Sequence, residues 1–414
     1  MKLLLIGNHT CGNRGDAAIL RGLIAELRLQ HPNVIIDAYS RYPVSSSYII
    51  DEPLSVDPIE QYHDSATSFI DKVYKRFSRR FLGYYLARKL KKADFINLPK
   101  HILKQINVMN NYDAVIQVGG SNFVDLYGPA KFESALCALL AKKKLFLIGH
   151  SVGPFNSTHY AKLASTVFSR VDELALREQL SHELMNKSDV SDIKVTKGAD
   201  TAWIVPHTPI PLAPHLTELL ENKPVIAITL RELAPFDKQL GVTQEQYEQR
   251  FADFINALIQ KGYRVVICST GTGIDSYWRD DRMIALKVKA LTQNPECHVI
   301  MDELNDVQIG SFLSHCKLTI GTRLHSAIIS MNFDTPAIAI NYEHKSKGIM
   351  AQLNMPELSK DVNSLFNGEL LKAAEHVLAN LDEVKQKMQI HVERERQLGK
   401  DMISRVLENI KNSK

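Results

Sequence analysis

In TIGTRLHSAIIS, residues 319–330, an arginine and a histidine stand two positions apart between two apolar runs. Arg323 offers a planar fork that matches a carboxylate or phosphate through two parallel hydrogen bonds. His325 is of the one side-chain type that ordinarily exchanges protons near neutral pH. If R-L-H is still extended, Arg323 and His325 share a face and Leu324 enters the core. A helix beginning near Ser326 then aims backbone N–H groups at the same spot, which favours an anion. In the plain alternative, Arg323 pairs with an acid at the core edge and His325 caps or packs. A segment already helical at R-L-H would send the two side chains apart. The pattern alone leaves both readings open.

Ligands of open parallel sheets gather beyond the carboxyl ends of the strands, so the residues after each apolar run matter. Asn8, Asn13 and Asp16 follow KLLLIG; Ser121, Asn122 and Asp125 follow AVIQVGG. His150 follows KLFLIG, Arg177 follows ELAL, Asp200 follows KVTKGA, and Arg231 follows VIAITL. Arg323 and His325 follow KLTIG; His344 and Lys345 follow AIAINYE. Together these predict one cleft between two facing domains, lined by both carboxylates and cations. The loop GNHTCGNRGDAAIL (7–20) holds Gly7, Gly12 and Gly15, whose spacing is not the G-x-G-x-x-G of dinucleotide sites. Asp16 reads as a helix N-cap, or as a group that orients or deprotonates a hydroxyl. GGSNFVDLYG (119–128) is a similar turn, in which Asn122 could simply bond its own backbone.

Nine short apolar runs, from KLLLIG (2–7) to AIAINY (337–342), alternate with stretches such as DAAILRGLIAELRLQ (16–30), whose apolar residues recur at helical spacing. Continuous apolar strands alternating with helices predict parallel sheets covered on both faces. Residues 205–224 hold five prolines, a poor continuation of helix or central strand. The expected organisation is an N-terminal α/β domain (1–205), a proline-rich linker (206–224), a C-terminal α/β domain (225–367) and a helical, charged C-terminal stretch (368–414).

The 414 residues suit two or three domains, and a net charge of +4 makes no global demand for nucleic acid or a membrane. The five cysteines are scattered without a C-x-x-C pair, which points away from structural zinc or a disulfide framework and towards a reducing cytoplasm. The first apolar run is too short for a signal peptide, and no run approaches a membrane span. Residues 72–92 hold nine Lys/Arg and no acid, interleaved with aromatic and aliphatic residues. Such a run is either a solvated helix face or a surface for anionic lipid headgroups. No recognised RNA-binding motif accompanies it.

Several pieces are recognisable as a set: G-N-x-x-x-G-N-x-G-D-x-A-I-L at the start, G-G-S-N-F-x-D-L in the middle, L-R-E at 176–178, and T-R-L-H-S followed by N-Y-E-H-K. In order and over nearly the whole chain, they resemble the polysaccharide pyruvyl transferase family. The likeness is strongest to members from colanic-acid-type exopolysaccharide clusters, through TLRELAPFDK (229–238) and MDELND (301–306). The resemblance implies an α/β fold of two Rossmann-like domains with parallel sheets facing across a cleft, like GT-B glycosyltransferases. It implies transfer of pyruvate from phosphoenolpyruvate to a sugar as a cyclic ketal, with phosphate released and no metal or nucleotide cofactor. The sugar would belong to a lipid-linked or polymeric glycan.

Carried over by motif, Arg323 and His325 are the family's R-L-H pair, which handles phosphoenolpyruvate. Arg177, Lys345 and, less directly, Arg231 are the other donor-binding positions, placing the donor mainly on the C-terminal domain. His325, Asp16 and Asp200 are the expected acid–base groups. Asn8, Asn13, Asn122, Asp125 and His150 are assigned to the acceptor on the N-terminal domain. GGSN departs from the longer glycine run of many members. A cytoplasmic enzyme, peripheral to the inner face of the inner membrane through residues 72–92, is the expected setting, with no nucleic-acid partner. The alternatives are a GT-B glycosyltransferase using a nucleotide sugar and a non-catalytic glycan-binding component of polysaccharide export.

Overall fold

The computed structural model describes residues 1–92, 97–188, 190, 193–234, 240–275, 277–341 and 344–412; of 344–347 it describes the backbone alone. The chain is α/β, with two separate parallel sheets. It divides into two compact units. The first comprises Met1–Thr10, Ile19–Thr201 and Gln397–Lys414; the second comprises Cys11–Ala18 and Ala202–Arg396. The division thus assigns the loop 11–18 to the second unit and the last stretch of the C-terminal helix Leu381–Lys411 to the first.

The first unit carries β1 (Lys2–Asn8), β2 (Ile35–Ser40), β3 (Ser55–Val56), β4 (Ala114–Gln117), β5 (Gly120–Phe123), β6 (Lys144–Val152), β7 (Glu173–Leu176) and β8 (Thr196–Lys197). Their order is β3-β2-β1-β4-β6-β7-β8, with β5 added to β6. The core on this sheet includes Leu4, Ile6, Val115, Leu145 and Leu147, and the aromatic trio Phe123, Phe132 and Phe168. The apolar run 114–120 is not one strand. It stops at Gln117, and Gly120, at φ +144°, turns the chain into β5. In turn β6 runs on to Val152, which places His150 inside a strand rather than after one.

The second unit carries β9 (Val225–Thr229), β10 (Arg264–Cys268), β11 (Cys297–Val299), β12 (Leu318–Gly321), β13 (Ala337–Asn341) and β14 (Ser359–Asp361). Their order, β11-β10-β9-β12-β13-β14, is the doubly wound order 3-2-1-4-5-6. Every residue of β9, β12 and β13 is buried, as helices on both faces require. Within the proline-rich segment lies one short helix, Pro214–Glu218, which belongs to the second unit.

After β12 the helix begins at Leu324, two residues earlier than Ser326. Arg323 is its extended N-cap residue, at φ −106° and ψ 129°, so R-L-H is neither fully extended nor fully helical. Ser326 fixes this turn: its amide and hydroxyl both bond the Arg323 carbonyl, at 3.0 and 2.6 Å, and its Oγ lies 2.8 Å from Thr229 Oγ1 on β9.

Candidate active site

In a doubly wound sheet the ligand crevice forms where the strand order reverses. In the second unit that is between β9 and β12, where Thr229 pairs with Gly321. Arg231 and Arg323 stand two residues beyond those partners, so both arginines leave the sheet at matching positions. Thr322 ties the strand ends together, its Oγ1 donating to the Thr229 carbonyl at 2.8 Å.

Arg323 is engaged by an acid. Its Nε and Nη2 donate to Asp281 Oδ2 and Oδ1 at 2.5 and 2.8 Å, and Asp281 is buried. The plain alternative of a core-edge partner is therefore realised. The bidentate pair holds the guanidinium rigidly at the head of the helix Leu324–Asn332, where the helix dipole favours negative charge. Gly271 lies beneath the pair: a Cβ there would fall 2.8 Å from Asp281 Oδ2 and 3.0 Å from Arg323 Nη2. Arg231 is buried, its Nε donating to the Glu232 carbonyl at 2.9 Å.

The loop 11–18 is built into this unit. Asn13 forms an antiparallel bridge with Gly271, and the Arg14 amide donates to the Thr270 carbonyl at 2.7 Å. Arg14 is completely buried. It bonds the carbonyls of Cys11, Gly12 and Leu304 and the side chains of Thr272 and Glu303. MDELND thereby acquires a role, because Glu303 and Leu304 anchor the N-terminal loop. Gly15 lies against His325: a Cβ on it would overlap the imidazole at Nδ1, Cγ and Cβ. Asp16 is not the N-cap. Asn13 Oδ1 accepts the Gly15 amide at 3.2 Å, and Asp16 sits in the first helical turn, half-buried. Burial raises the pKa of the Tyr277 phenol; the Arg323 charge opposes that rise, and Asp16 and Asp281 add to it. Arg323, His325, Asp16, Asp281 and Tyr277 thus form one group. The side chain of Lys345 lies outside the described residues.

In the first unit the corresponding reversal lies between β1 and β4. Asn8 follows Ile6, the partner of Gln117. Asn8, His9, Gln117 and Asn122 line a pocket there with Arg41, Asp57, Glu60 and Lys131. Gln117 is buried, and its Oε1 makes no hydrogen bond. Glu60 takes Lys131 and Arg79, each at 2.9 Å. Burial alone would raise the Glu60 pKa, but Lys131, Arg41 and Arg79 bring it down to about 2. Burial, then the Lys131 charge, lowers His9 to about 4. Asp57 caps the helix Pro58–Asp64 and is raised by burial, then by Glu60, to about 6.

Four expected site residues make scaffold contacts in this unit. His150 is fully buried against Phe123, its Nε2 3.3 Å from the Gln117 carbonyl; burial and then the Arg177 charge lower its pKa to about 3. Asp125 accepts the amides of Asn156 and Ser157 at 2.6 and 3.0 Å, clamping a loop rather than presenting itself to an acceptor. Arg177 and Asp200 form a buried ion pair at 2.5 Å. Arg177 also bonds Ser151 and Ser121, at 2.8 and 3.1 Å. The donor groups Arg323 and Arg231 belong to the other unit, as does Asn13, which was assigned to the acceptor.

Reading along the sequence missed Arg41, Glu60, Gln117, Lys131, Gly271, Tyr277 and Asp281. Two had a signal. Arg41 directly follows β2, and Gly271 lies in the STGTG turn just past β10. Among the described residues, no group of three or more His, Cys, Asp or Glu side chains is placed to hold a metal ion.

Comparison with known proteins bears on what this arrangement is for. Residues 13–344 match the profile of the polysaccharide pyruvyl transferases. The chain belongs to that family. As a polysaccharide pyruvyl transferase family member it is a transferase, and the R-L-H pair and residues 13–16 of the N-terminal loop lie within the matched span. It is 49% identical over 417 residues to the amylovoran biosynthesis protein AmsJ of Erwinia amylovora, covering 99% of this chain and 100% of that protein. Solved structures share the fold at much lower identity. A putative UDP-N-acetylglucosamine 2-epimerase of Listeria monocytogenes is 15% identical, with TM-score 0.59, covering 100% of this chain and 96% of its own. A glycosyltransferase of Rickettsia africae is 13% identical, with TM-score 0.59, covering 99% and 97%. The family member thus has a GT-B-like fold, and these structural likenesses say nothing further about its chemistry.

Proposed function

We propose that the enzyme transfers the pyruvate unit of phosphoenolpyruvate to a sugar of an exopolysaccharide precursor, forming a cyclic ketal and releasing phosphate. The observation that carries this reading is the pair of arginines, Arg231 and Arg323, at matching positions beyond the two central strands of the second unit. Both belong at the crevice where such a sheet takes its ligand, and Arg323 stands in the group with His325 and Asp16. Two arginines suit a three-carbon donor bearing both a carboxylate and a phosphate. The identity to an exopolysaccharide biosynthesis protein supports the class of acceptor, of which a colanic-acid-like glycan is one example.

In the reaction, a proton adds to the methylene carbon of the donor and the enol carbon becomes oxocarbenium-like. One sugar hydroxyl attacks that carbon, and its proton is taken up by a base. The bond from the enol carbon to the phosphate oxygen breaks. A second hydroxyl closes the ketal, and its proton balances the departing phosphate. His325 suits the acid role. Asp16 suits the base role better than Asp200, because Asp16 is half-buried in the group with Arg323 and Tyr277 while Asp200 is locked to Arg177. Asn8, Asn122 and Gln117 are hydrogen-bonding groups suited to a sugar, which makes the first-unit pocket the acceptor site. The setting is cytoplasmic; among the described residues no helix is long and apolar enough to cross a membrane.

The test is thermal stabilisation by phosphoenolpyruvate, inorganic phosphate, UDP-sugars and GDP-sugars. Ligand at about 100 times its Kd adds roughly 2.7 kcal/mol of stability. A rise with phosphoenolpyruvate that is lost in Arg323→Ala and Arg231→Ala supports the reading. A rise with a nucleotide sugar alone overturns it in favour of glycosyl transfer.

A further inference from the structure

The helix Phe69–Lys92 packs one side inward: Leu82, Gly83, Leu86 and Ala87 are buried. Gly83 sets how closely it lies, since a Cβ there would be 2.5 Å from the Pro129 carbonyl oxygen. That contact fixes which side faces out. The outward side carries Phe69, Ile70, Val73, Tyr74, Phe77 and Phe81, all between 42% and 80% exposed. A solvated helix face would be polar there. The spacing 69, 73, 77, 81 advances by four residues, so these side chains form one stripe. Lys72, Arg76 and Arg80 are exposed along its border, and no acid occurs from 72 to 92. Apolar rings flanked by uncompensated cations match a surface with an apolar interior and anionic headgroups.

We infer that this helix docks the enzyme flat on an anionic lipid bilayer, with Phe77 and Phe81 in the interface and Lys72, Arg76 and Arg80 on the headgroups. The inward side of the same helix reaches the candidate acceptor pocket, since Arg79 bonds Glu60, which lines it, at 2.9 Å. Docking would therefore hold that pocket beside a lipid-borne glycan. This last consequence rests on the proposed function; the docking itself does not.

Flotation of the full-length protein with vesicles tests the docking without any turnover. The protein should float with vesicles containing about one-third phosphatidylglycerol, should not float with phosphatidylcholine alone, and should be released by high salt. Lys72→Gln/Arg76→Gln/Arg80→Gln should lower the partition about a hundredfold, at roughly fivefold per cation. Phe69→Ser/Phe77→Ser/Phe81→Ser should weaken it while leaving it salt-sensitive. An unchanged phosphoenolpyruvate-induced melting shift would show that both variants are folded; if no such shift exists, circular dichroism serves that control and the docking result still stands. Absence of flotation with anionic vesicles overturns the proposal, as does flotation that neither variant alters. Self-association that needs Phe77 and Phe81 and excludes vesicles assigns the stripe to a protein interface and equally overturns it.

Discussion

Gly15 rests against the imidazole of His325 so closely that no side chain fits between them. The two lie 310 positions apart in the chain, yet the N-terminal glycine loop forms one wall around the histidine. Gly15→Ala should force one of them to move, at a cost of about 1–3 kcal/mol in stability. It should also lower turnover by displacing His325. In a denaturation cycle, Gly15→Ala combined with His325→Ala should cost less than the sum of the single changes, because the smaller residue removes the overlap. Additive losses would show that the contact does not matter.

The Asp281 carboxylate aims Arg323. Arg323→Ala leaves Asp281 buried without its partner and should cost about 3 kcal/mol, together with the stabilisation by phosphoenolpyruvate. Arg323→Lys should not restore that ligand response, because a single ammonium cannot reproduce the fork. Melting curves with and without ligand read both effects. Full recovery in the lysine variant would reduce Arg323 to a point charge.

Asp16 and Asp200 separate chemistry from scaffold. Asp200→Asn breaks a buried pair with Arg177 and should destabilise by about 3–5 kcal/mol. Asp16→Asn, at a half-buried site, should leave the fold within about 0.5 kcal/mol of wild type while lowering turnover by a factor of about 100 or more. Turnover and denaturant midpoints on the same preparations make the distinction. Mild, equal losses in both would leave neither as the base.

Stability should fall as pH drops below about 6.5, where histidine in the unfolded chain takes up protons. Folded His150 resists protonation, through burial and then the Arg177 charge, until about pH 3. The unfolded state therefore gains protons first, and the native state loses about 2 kcal/mol by pH 5 through this one residue. His9, lowered to about 4, acts in the same direction. Glu60, lowered to about 2, contributes stability that is lost only below its ordinary range near 4.5. Asp57, raised by burial and then by Glu60 to about 6, takes up its proton in the native state within the same window and partly offsets the histidines, so the difference between wild type and His150→Gln isolates His150. Urea midpoints between pH 7 and 5 should slope downward in wild type and flatten in His150→Gln. An unchanged slope in that variant would place the effect elsewhere.

The strands that carry the site were legible because each was a run of apolar residues ended by a polar one. KLLLIG, VIAITL and KLTIG became β1, β9 and β12 within a residue or so at their ends. Of the strands missed in reading, β3, β8, β11 and β14 are two or three residues long, too short for any periodicity to register, and β5, four residues long, was hidden behind the glycine turn at Gly120. The rule that polar groups past strand ends meet ligands selected Arg231, Arg323 and Asn8 correctly as neighbours of the two sheet reversals. It failed at His150, because β6 continues through it.

By itself the sequence determined the α/β class, the family and the positions of the motifs, since strand periodicity, glycine turns and motif spacing are local properties. Only the tertiary structure decided which polar residues hold the scaffold and which are held in place for the site. Arg177 reaches Asp200, Arg14 reaches Glu303, and Arg323 reaches Asp281 across 23, 289 and 42 positions of chain. A charge needs a partner when it leaves water, and the partner is whichever group the fold brings near. Nothing local in the sequence marks that group, so the division between scaffold and site is settled only when the chain is folded.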